Sequence, residues 1–232
     1  MRFLEMISEP KEISEFKKSC KRIGTQASYN DMPKRELRKM LLANQGGLCA
    51  YCMSRIHNDD KKTGDNWYLH IEHIIPEREP VIYEGYNSDI DVKNMIGVCA
   101  GNRTDSDNDN KHCDSSRGGT EISITPYDKT IMSSIKYLRD GSIYSTDPRI
   151  DNELNDLLHL NSNRNSLKQN RMTAYKKLRD MVQYKSNGKT IKKAQLEKIR
   201  NQFCSKDTDG IYMEYVGVFE YWLNKWERKS NG

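Results

Sequence analysis

Apolar side chains recur at the three- and four-residue spacing of a helix in both terminal parts of the chain. In residues 33–45 this spacing is carried by Leu37, Met40 and Leu41, and the Gly46-Gly47 pair stops the pattern. Comparable patterns recur after residue 150, where Asn187-Gly188 marks a turn. The predicted helices cover residues 9–22, 33–45, 151–160, 165–183, 190–203 and 212–226.

The middle of the chain has a different pattern. Residues 67–75 are rich in Trp, Tyr and Ile, which favour strands, and Pro76 ends this stretch. Residues 87–98 are expected to return toward the cysteines that could bind a metal, whereas residues 58–66 and 104–114 are polar loops. We therefore predict a mostly helical α+β fold. Its predicted parts are N-terminal helices at 1–44, a central core at 45–118 and a helical C-terminal region at 119–232.

The amino-acid composition argues against a membrane protein. Apolar residues make up 35% of the 232 positions, charged residues 31%, and the mean hydropathy is −0.90. No run of about 18 apolar residues is present, so no membrane span is predicted. Residues 1–10 lack the apolar stretch of a signal peptide, and a cytoplasmic location is expected. In a reducing compartment, spaced cysteines favour metal binding over disulfides.

Positive charge is concentrated in one C-terminal segment. Residues 163–206 contain thirteen Lys or Arg and two acids, a net charge of +11, whereas the whole chain carries +5 and the remainder therefore −6. Such a block indicates a solvated helix face, phosphate contacts or an acidic protein partner. We select Lys168 and Arg171 as candidate nucleic-acid-binding residues.

Four of the six cysteines have the arrangement of a zinc site. Cys49 and Cys52 form a C-x-x-C pair after a helix and a glycine turn, and Cys99 and Cys113 are the best second pair. Zinc in structural sites takes four such ligands in tetrahedral geometry. His112 is the alternative to Cys113 as fourth ligand. The other two, Cys20 and Cys204, are read as structural residues.

Between the two cysteine pairs lies the sequence Leu69-His70-Ile71-Glu72-His73-Ile74-Ile75-Pro76. Hydrolysis of a phosphodiester needs a base for water, a cation for the developing charge and a group that orients the base. A neutral imidazole suits the first task near pH 7. A carboxylate and an amide oxygen suit a hard cation such as Mg²⁺ or Mn²⁺. His70 is the rival of His73 for the role of base.

The order of four features along the chain resembles the motif of HNH nucleases. These features are C-x-x-C, Glu-His-Ile-x-Pro, an Asn before a cysteine and an Asn after it. The resemblance implies a zinc-stabilised ββα-metal core, with His73 as general base and Glu72 as ligand of the catalytic metal. It also implies Asn94 as the orienting residue, with Asn87 and Asn102 as rivals, and Asn102 as second metal ligand. The cysteine pattern departs from the family, whose second pair is usually C-x-x-C. Arg103 is a candidate phosphate contact or an ordinary surface residue.

Residues 35–175 contain four longer motifs. They are Cys49-Ala50-Tyr51-Cys52, Ile71-Glu72-His73-Ile74-Ile75-Pro76, His112-Cys113-Asp114 with Arg117-Gly118, and Leu158-His159-Leu160-Asn161 ahead of an Asn-Arg pair. In these motifs the chain resembles the PtuB family, the HNH components of Septu and certain retron antiphage defence systems. This resemblance implies a PtuA-like ATPase as partner and, in retrons, a reverse transcriptase with its RNA–DNA. The alternative function is a zinc-stabilised nucleic-acid-binding or scaffold module without catalysis.

Overall fold

The computed structural model describes residues 1–56, 69–77, 82–83 and 86–230. About 47% of the chain is helical and short antiparallel strand pairs accompany the helices, so the predicted mixed and largely helical class is confirmed. The predicted loop at 58–66 and the first two residues of the predicted strand at 67–75 lie outside the described residues. None of the helices in the described ranges has the length and apolar character needed to cross a membrane.

Two amphipathic helices begin the fold. Helix α1 (Lys11–Ile23) buries Ile13 and Cys20 and ends at Gly24. Gly24 has a φ of 72°, and its N–H donates to carbonyls of the last turn, as a helix-ending glycine commonly does. Helix α2 (Arg35–Asn44) buries Leu37 and Leu41, which are fully inaccessible to solvent. Helical spacing of apolar residues therefore predicted both helices to within two residues at each end.

The central part consists of short strands followed by a short helix. Strand β1 (His70–His73) precedes the two-residue strands β2 (Ile82–Tyr83) and β3 (Tyr86–Asn87), which pair with each other. Strand β4 (Met95–Val98) pairs antiparallel with β1, with His70 opposite Val98 and His73 opposite Met95. The end of the segment 87–98 therefore lies beside the first strand, a pairing that the sequence did not predict. Helix α3 (Asp114–Arg117) follows the loop after β4.

The C-terminal region adds a hairpin and further helices. Strands β5 (Ile135–Tyr137) and β6 (Ile143–Ser145) pair antiparallel and turn Ile135, Tyr137 and Ile143 inward. A π-helical turn at Glu153–Leu157 extends the fifth helix. The helices of this region are α4 (Lys129–Ser134), α5 (Pro148–Asn152), α6 (Leu167–Ser186), α7 (Lys193–Cys204) and α8 (Val216–Ser230).

Aromatic side chains hold the C-terminal helices together. The rings of Phe203 and Phe219 lie 5.0 Å apart, and those of Tyr175 and Trp222 lie 4.6 Å apart. Phe219 and Trp222 are buried, so these aromatic side chains of α8 belong to the core. Buried side chains from the N-terminal helices, the strands and the C-terminal helices form one continuous hydrophobic core.

Candidate active site and metal centre

Four cysteines from distant parts of the chain come together. The Sγ atoms of Cys49, Cys52, Cys99 and Cys113 all lie within 4.8 Å of one another. Cys49 and Cys113 are 3.8 Å apart at Sγ, and Cys52 and Cys99 are 3.7 Å apart. Ligands about 2.3 Å from a tetrahedral zinc ion are separated by about 3.8 Å, whereas a disulfide would need roughly 2 Å. The four-cysteine cluster could therefore hold a metal ion such as zinc.

The fourth position of this cluster is filled by Cys113. His112 lies just outside, with Nδ1 3.2 Å from Cys113 Sγ and 4.0 Å from Cys99 Sγ. Cys20 and Cys204 are free thiols outside the cluster. In the ranges that the structure describes, no other group of three or more Cys, His, Asp or Glu is as compact.

Tight turns explain why these cysteines meet. Gly46 and Gly47 have φ values of 60° and 74° and lead from α2 into the first pair. The Ala50 amide, between the two cysteines of that pair, donates to the Gly97 carbonyl of β4 at 3.0 Å. Gly101, just after Cys99, has a φ of 55°, and a Cβ atom there would lie 2.0 Å from the carbonyl oxygen of His112. This close approach brings the far end of the loop, and with it Cys113, back to β4.

A cavity of about 520 Å³ lies beside β1 and α3. Its ionisable lining groups come from α2, β1, α3 and the adjoining loops. Three guanidinium groups and three carboxyl groups balance one another in formal charge. These ionisable groups are Arg38, His70, Glu72, His73, Glu77, Arg103, Asp114 and Arg117.

Two carboxyl groups meet in this cavity. Glu72 of β1 is 7% exposed, and it lines the cavity together with Asp114, the first residue of α3. Buried Arg117, the last residue of α3, forms an ion pair with Glu72 and donates to the carbonyl oxygens of His73 at 2.7 Å and Ile74 at 2.8 Å. Burial raises the pKa of Glu72 to about 8, and the negative charge of Asp114 adds to this rise despite the opposing influence of Arg117. The oxygen donors of the two carboxyl groups suit a hard divalent cation.

His73 is held rigidly at the edge of the cavity. Its side chain is buried, its Nε2 lies 2.9 Å from the carbonyl oxygen of Asp89, and its Nδ1 lies 3.2 Å from Glu77 Oε1. The ring packs edge-on against Tyr29 at 4.6 Å. Because a carbonyl oxygen only accepts a hydrogen bond, Nε2 carries the proton in the neutral ring. Nδ1 then has the free lone pair. Burial lowers the pKa of His73, which favours this neutral form.

The rival histidine also reaches the cavity. His70 begins β1 and is half-buried, and burial is the main cause that lowers its pKa, with Arg103 contributing. Glu72 and His73 would point to opposite faces of a continuous strand, yet both line the cavity because β1 ends at His73. The structure therefore brings His70, Glu72 and His73 to one cavity.

Asn94 reaches His73 through the backbone and not by direct contact. Its side-chain amide accepts from the Ile75 N–H at 2.7 Å and donates to the Ile75 and Ser88 carbonyl oxygens at 3.0 and 2.9 Å. These bonds hold the chain just after His73 and the turn that includes Asp89, whose carbonyl binds the imidazole. Asn94 is therefore placed to position the histidine indirectly.

The remaining predicted site residues differ in their placement. Asn102 does not line the cavity, and its side-chain amide donates to the main-chain and side-chain oxygens of Asn110, both at 3.0 Å. Asp114 lines the cavity with Glu72, where Asn102 was predicted as the second metal ligand. Arg103 lines the cavity and forms an ion pair with Asp114. The sequence offered one signal for Asp114, which is its position directly after Cys113.

Of the two predicted nucleic-acid contacts outside the cavity, Arg171 needs correction, whereas Lys168 stays a prediction. Arg171 is 1% exposed and donates to the carbonyl oxygens of Gly141 and Leu160, both at 2.7 Å, so it is a buried structural residue. Lys168 is engaged by Asp140, with Nζ 3.0 Å from the carboxylate. Neither side chain lines the cavity beside β1.

The cysteine cluster and the cavity share one connected segment. Cys113 belongs to the cluster, and the next residue, Asp114, lines the cavity. Tyr51, between Cys49 and Cys52, is fully buried with its hydroxyl 3.5 Å from Arg117 Nη1. No protein-family model matches the chain, and no curated protein matches it significantly.

Proposed function

We propose that the chain is a metal-dependent endonuclease of the HNH type, which hydrolyses phosphodiester bonds in nucleic acid. The observation that carries this proposal is the convergence of His73, Glu72 and Asp114 on one cavity. Each has a different task in such a reaction. The four-cysteine cluster supports the proposal because, with zinc bound, it would hold β4 and α3 in the arrangement that brings these side chains together.

His73 serves as the general base. With Nε2–H held by the Asp89 carbonyl, Nδ1 takes a proton from the attacking water. The water oxygen forms the new bond to phosphorus as the bond to the leaving oxygen breaks, and solvent returns a proton to that oxygen. Glu77, 3.2 Å from Nδ1, stabilises the imidazolium that results.

Glu72 and Asp114 would hold a divalent cation such as Mg²⁺ or Mn²⁺, which when bound supplies positive charge to the phosphate. Both carboxyl groups line the cavity beside His73, and the charge of Asp114 raises the pKa of Glu72. A bound cation would favour the ionised form of Glu72. Arg103, exposed at the rim and paired with Asp114, can turn to a phosphate oxygen.

Cleavage by the purified chain tests the proposal. Labelled single- and double-stranded DNA and RNA are incubated with Mg²⁺ or Mn²⁺, and His73→Ala is compared with the parent. Loss of a general base lowers the rate by roughly 10²- to 10⁴-fold, with zinc content and circular dichroism unchanged. Equal rates for parent and variant would contradict the role of His73. A greater loss in His70→Ala would assign that role to His70.

A second comparison tests which residue completes the cation site. Asp114→Asn removes a charged oxygen donor from the cavity and should abolish metal-dependent cleavage. Asn102→Gly permits the φ of 57° found at residue 102 and should cleave like the parent. The reverse result would restore Asn102 as the ligand.

The resemblance to the PtuB family extends the proposal to the protein's setting. It supports an antiphage effector that acts in the cytoplasm with a PtuA-like ATPase and, in a retron, with a reverse transcriptase and its RNA–DNA. Co-expression with the ATPase of the same operon, followed by affinity purification of either protein, tests this association. Separate elution of the two proteins at low salt would contradict it.

A further inference from the structure

A second large cavity lies in the C-terminal part of the fold. It has a volume of about 840 Å³ and lies between the β5–β6 hairpin and α8, with α4 and the first residues of the chain at one end. We call it the basic groove. It is distinct from the cavity of His73, because the two share no lining residue.

The basic groove has a strong excess of positive charge. Its one lining carboxylate, Glu220, is paired with Arg2 at 3.1 Å. The other lining cations form no ion pair with any carboxylate in the described part of the chain. These cations are Lys129, Lys136, Lys225 and Arg228. The cavity beside β1, in contrast, has as many carboxylates as guanidinium groups.

Aromatic rings stand beside these cations on both walls. On the hairpin, Lys136 lies directly opposite Tyr144, and both are on the outward face because their neighbours Ile135 and Tyr137 point inward. On α8, Tyr221, Lys225 and Arg228 are spaced four and three residues apart and therefore lie on one helix face. Each wall thus offers a half-buried tyrosine and at least one cation without a carboxylate partner among the described residues, and Lys225 Nζ lies 5.6 Å from the centre of the Tyr221 ring.

We propose that the basic groove binds single-stranded nucleic acid. Lysine and arginine side chains would contact the phosphates, and Tyr144 and Tyr221 would stack on bases. Proteins that bind single strands without sequence preference combine these two features in one groove. An acidic protein segment would match the charge but would make no use of the tyrosine faces.

The groove adjoins another cavity. This neighbouring cavity of about 770 Å³ shares Phe3 and Lys129 with the basic groove. It is also lined by Ile74 and Ile75, which directly follow His73, but not by His73 itself. The inference goes beyond the proposed function, since binding in the groove does not require cleavage.

Binding is measured by fluorescence anisotropy in the His73→Ala background without added divalent metal, so that cleavage cannot interfere. The probes are a labelled single-stranded oligonucleotide, its duplex and a poly-glutamate peptide of equal charge. The test variant carries Lys136→Gln, Lys225→Gln and Arg228→Gln. The control carries Lys189→Gln, Lys192→Gln and Lys193→Gln, which remove the same charge from the turn between α6 and α7.

For single strands, each lost phosphate contact lowers the salt slope by about 0.7, so the groove variant should lose about 2. Its affinity should fall at least about 10-fold, whereas the control should stay near the parent. Tyr144→Leu keeps every charge and should weaken binding roughly 5- to 140-fold, as expected for one lost base stack. The single variant Lys225→Glu, at an exposed position, provides the same test if the triple variant is poorly folded.

Three results would overturn the proposal. The first is an equal loss in the groove and control variants, which would indicate diffuse attraction. The second is unchanged affinity in Tyr144→Leu together with equally tight binding of poly-glutamate, which would indicate an acidic protein ligand. The third is the absence of any oligonucleotide binding. Binding without any cleavage by the chain carrying His73 would refute the nuclease and leave the groove intact.

Discussion

Replacing Glu72 by Gln should make the protein more stable at alkaline pH. The glutamate is 7% exposed, and burial raises its pKa from 4.5 to about 8 in the folded protein. Folded protein therefore binds this proton more tightly than unfolded chain does. The stability that the proton provides is complete below pH 4.5 and is lost as pH rises through 8. Glutamine keeps the shape and the hydrogen-bonding oxygen but never ionises.

The size of the effect follows from the pKa difference. A rise of about 3.5 in pKa, at roughly 1.4 kcal/mol for each unit, sets a ceiling of about 5 kcal/mol. At pH 5 the parent has lost less than about 1 kcal/mol through this group, and at pH 8 it has lost roughly 2 to 4 kcal/mol. Glu72→Gln should therefore unfold at nearly the parent's urea concentration at pH 5 and at a clearly higher one at pH 8.

The assay is urea unfolding followed by tryptophan fluorescence at pH 5 and pH 8, without added divalent metal and with zinc content measured at both. Glu12→Gln removes the same charge from an exposed position on α1 and corrects for a general effect of net charge. Mn²⁺ should raise the stability of the parent at pH 8 and have little effect on Glu72→Gln. An equal advantage of the variant at both pH values would refute this reasoning. Lower stability of the variant at pH 8 would show that the ion pair with Arg117 outweighs burial.

Three further predictions concern the metal centre and the buried arginine. Cys113→Ser should lose bound zinc and metal-dependent cleavage together. Its control, Cys204→Ser, should keep a full equivalent of zinc as measured by atomic emission. Zinc retained in Cys113→Ser would indicate that His112 is the fourth ligand. Gly101→Ala should weaken zinc binding in competition with a chromogenic chelator, because its Cβ meets the His112 carbonyl; unchanged affinity would show that the loop adapts. Arg171→Met should cost roughly 1 to 3 kcal/mol in urea unfolding for each buried carbonyl that is left without a donor. Unchanged stability together with weaker oligonucleotide binding would show that Arg171 lies at the surface.

Sequence reasoning identified the elements that have a regular apolar pattern. Helices α2, α6 and α8 carry their buried residues at helical spacing, and the strand formers around His70 mark β1. Helix α3 has no such pattern, since its sequence is Asp-Ser-Ser-Arg. Its position depends on a distant contact, because the Cys113 N–H donates to the Leu158 carbonyl at 3.1 Å. That contact cannot be read from local sequence.

The same distinction applies to the candidate site. The four cysteines, His73 and Glu72 were selected from their order along the chain, and the structure brings them to two adjoining places. Asp114 was missed because the fourteen-residue step from Cys99 to Cys113 hides the usual spacing of the second pair. Arg171 was counted with the exposed charges of its helix, although the Gly141 and Leu160 carbonyls that bind it lie outside that helix.

The position of Cys113 has a consequence for how the protein is made. The chain grows from its N-terminus, and Cys49 and Cys52 leave the ribosome long before Cys113, Asp114 and Arg117 do. The partial protein that ends before residue 113 has three thiols for an ion but lacks half of the carboxyl pair and the guanidinium beside it. Assembly of the cavity therefore awaits closure of the chain across the 64 positions that separate Cys49 from Cys113.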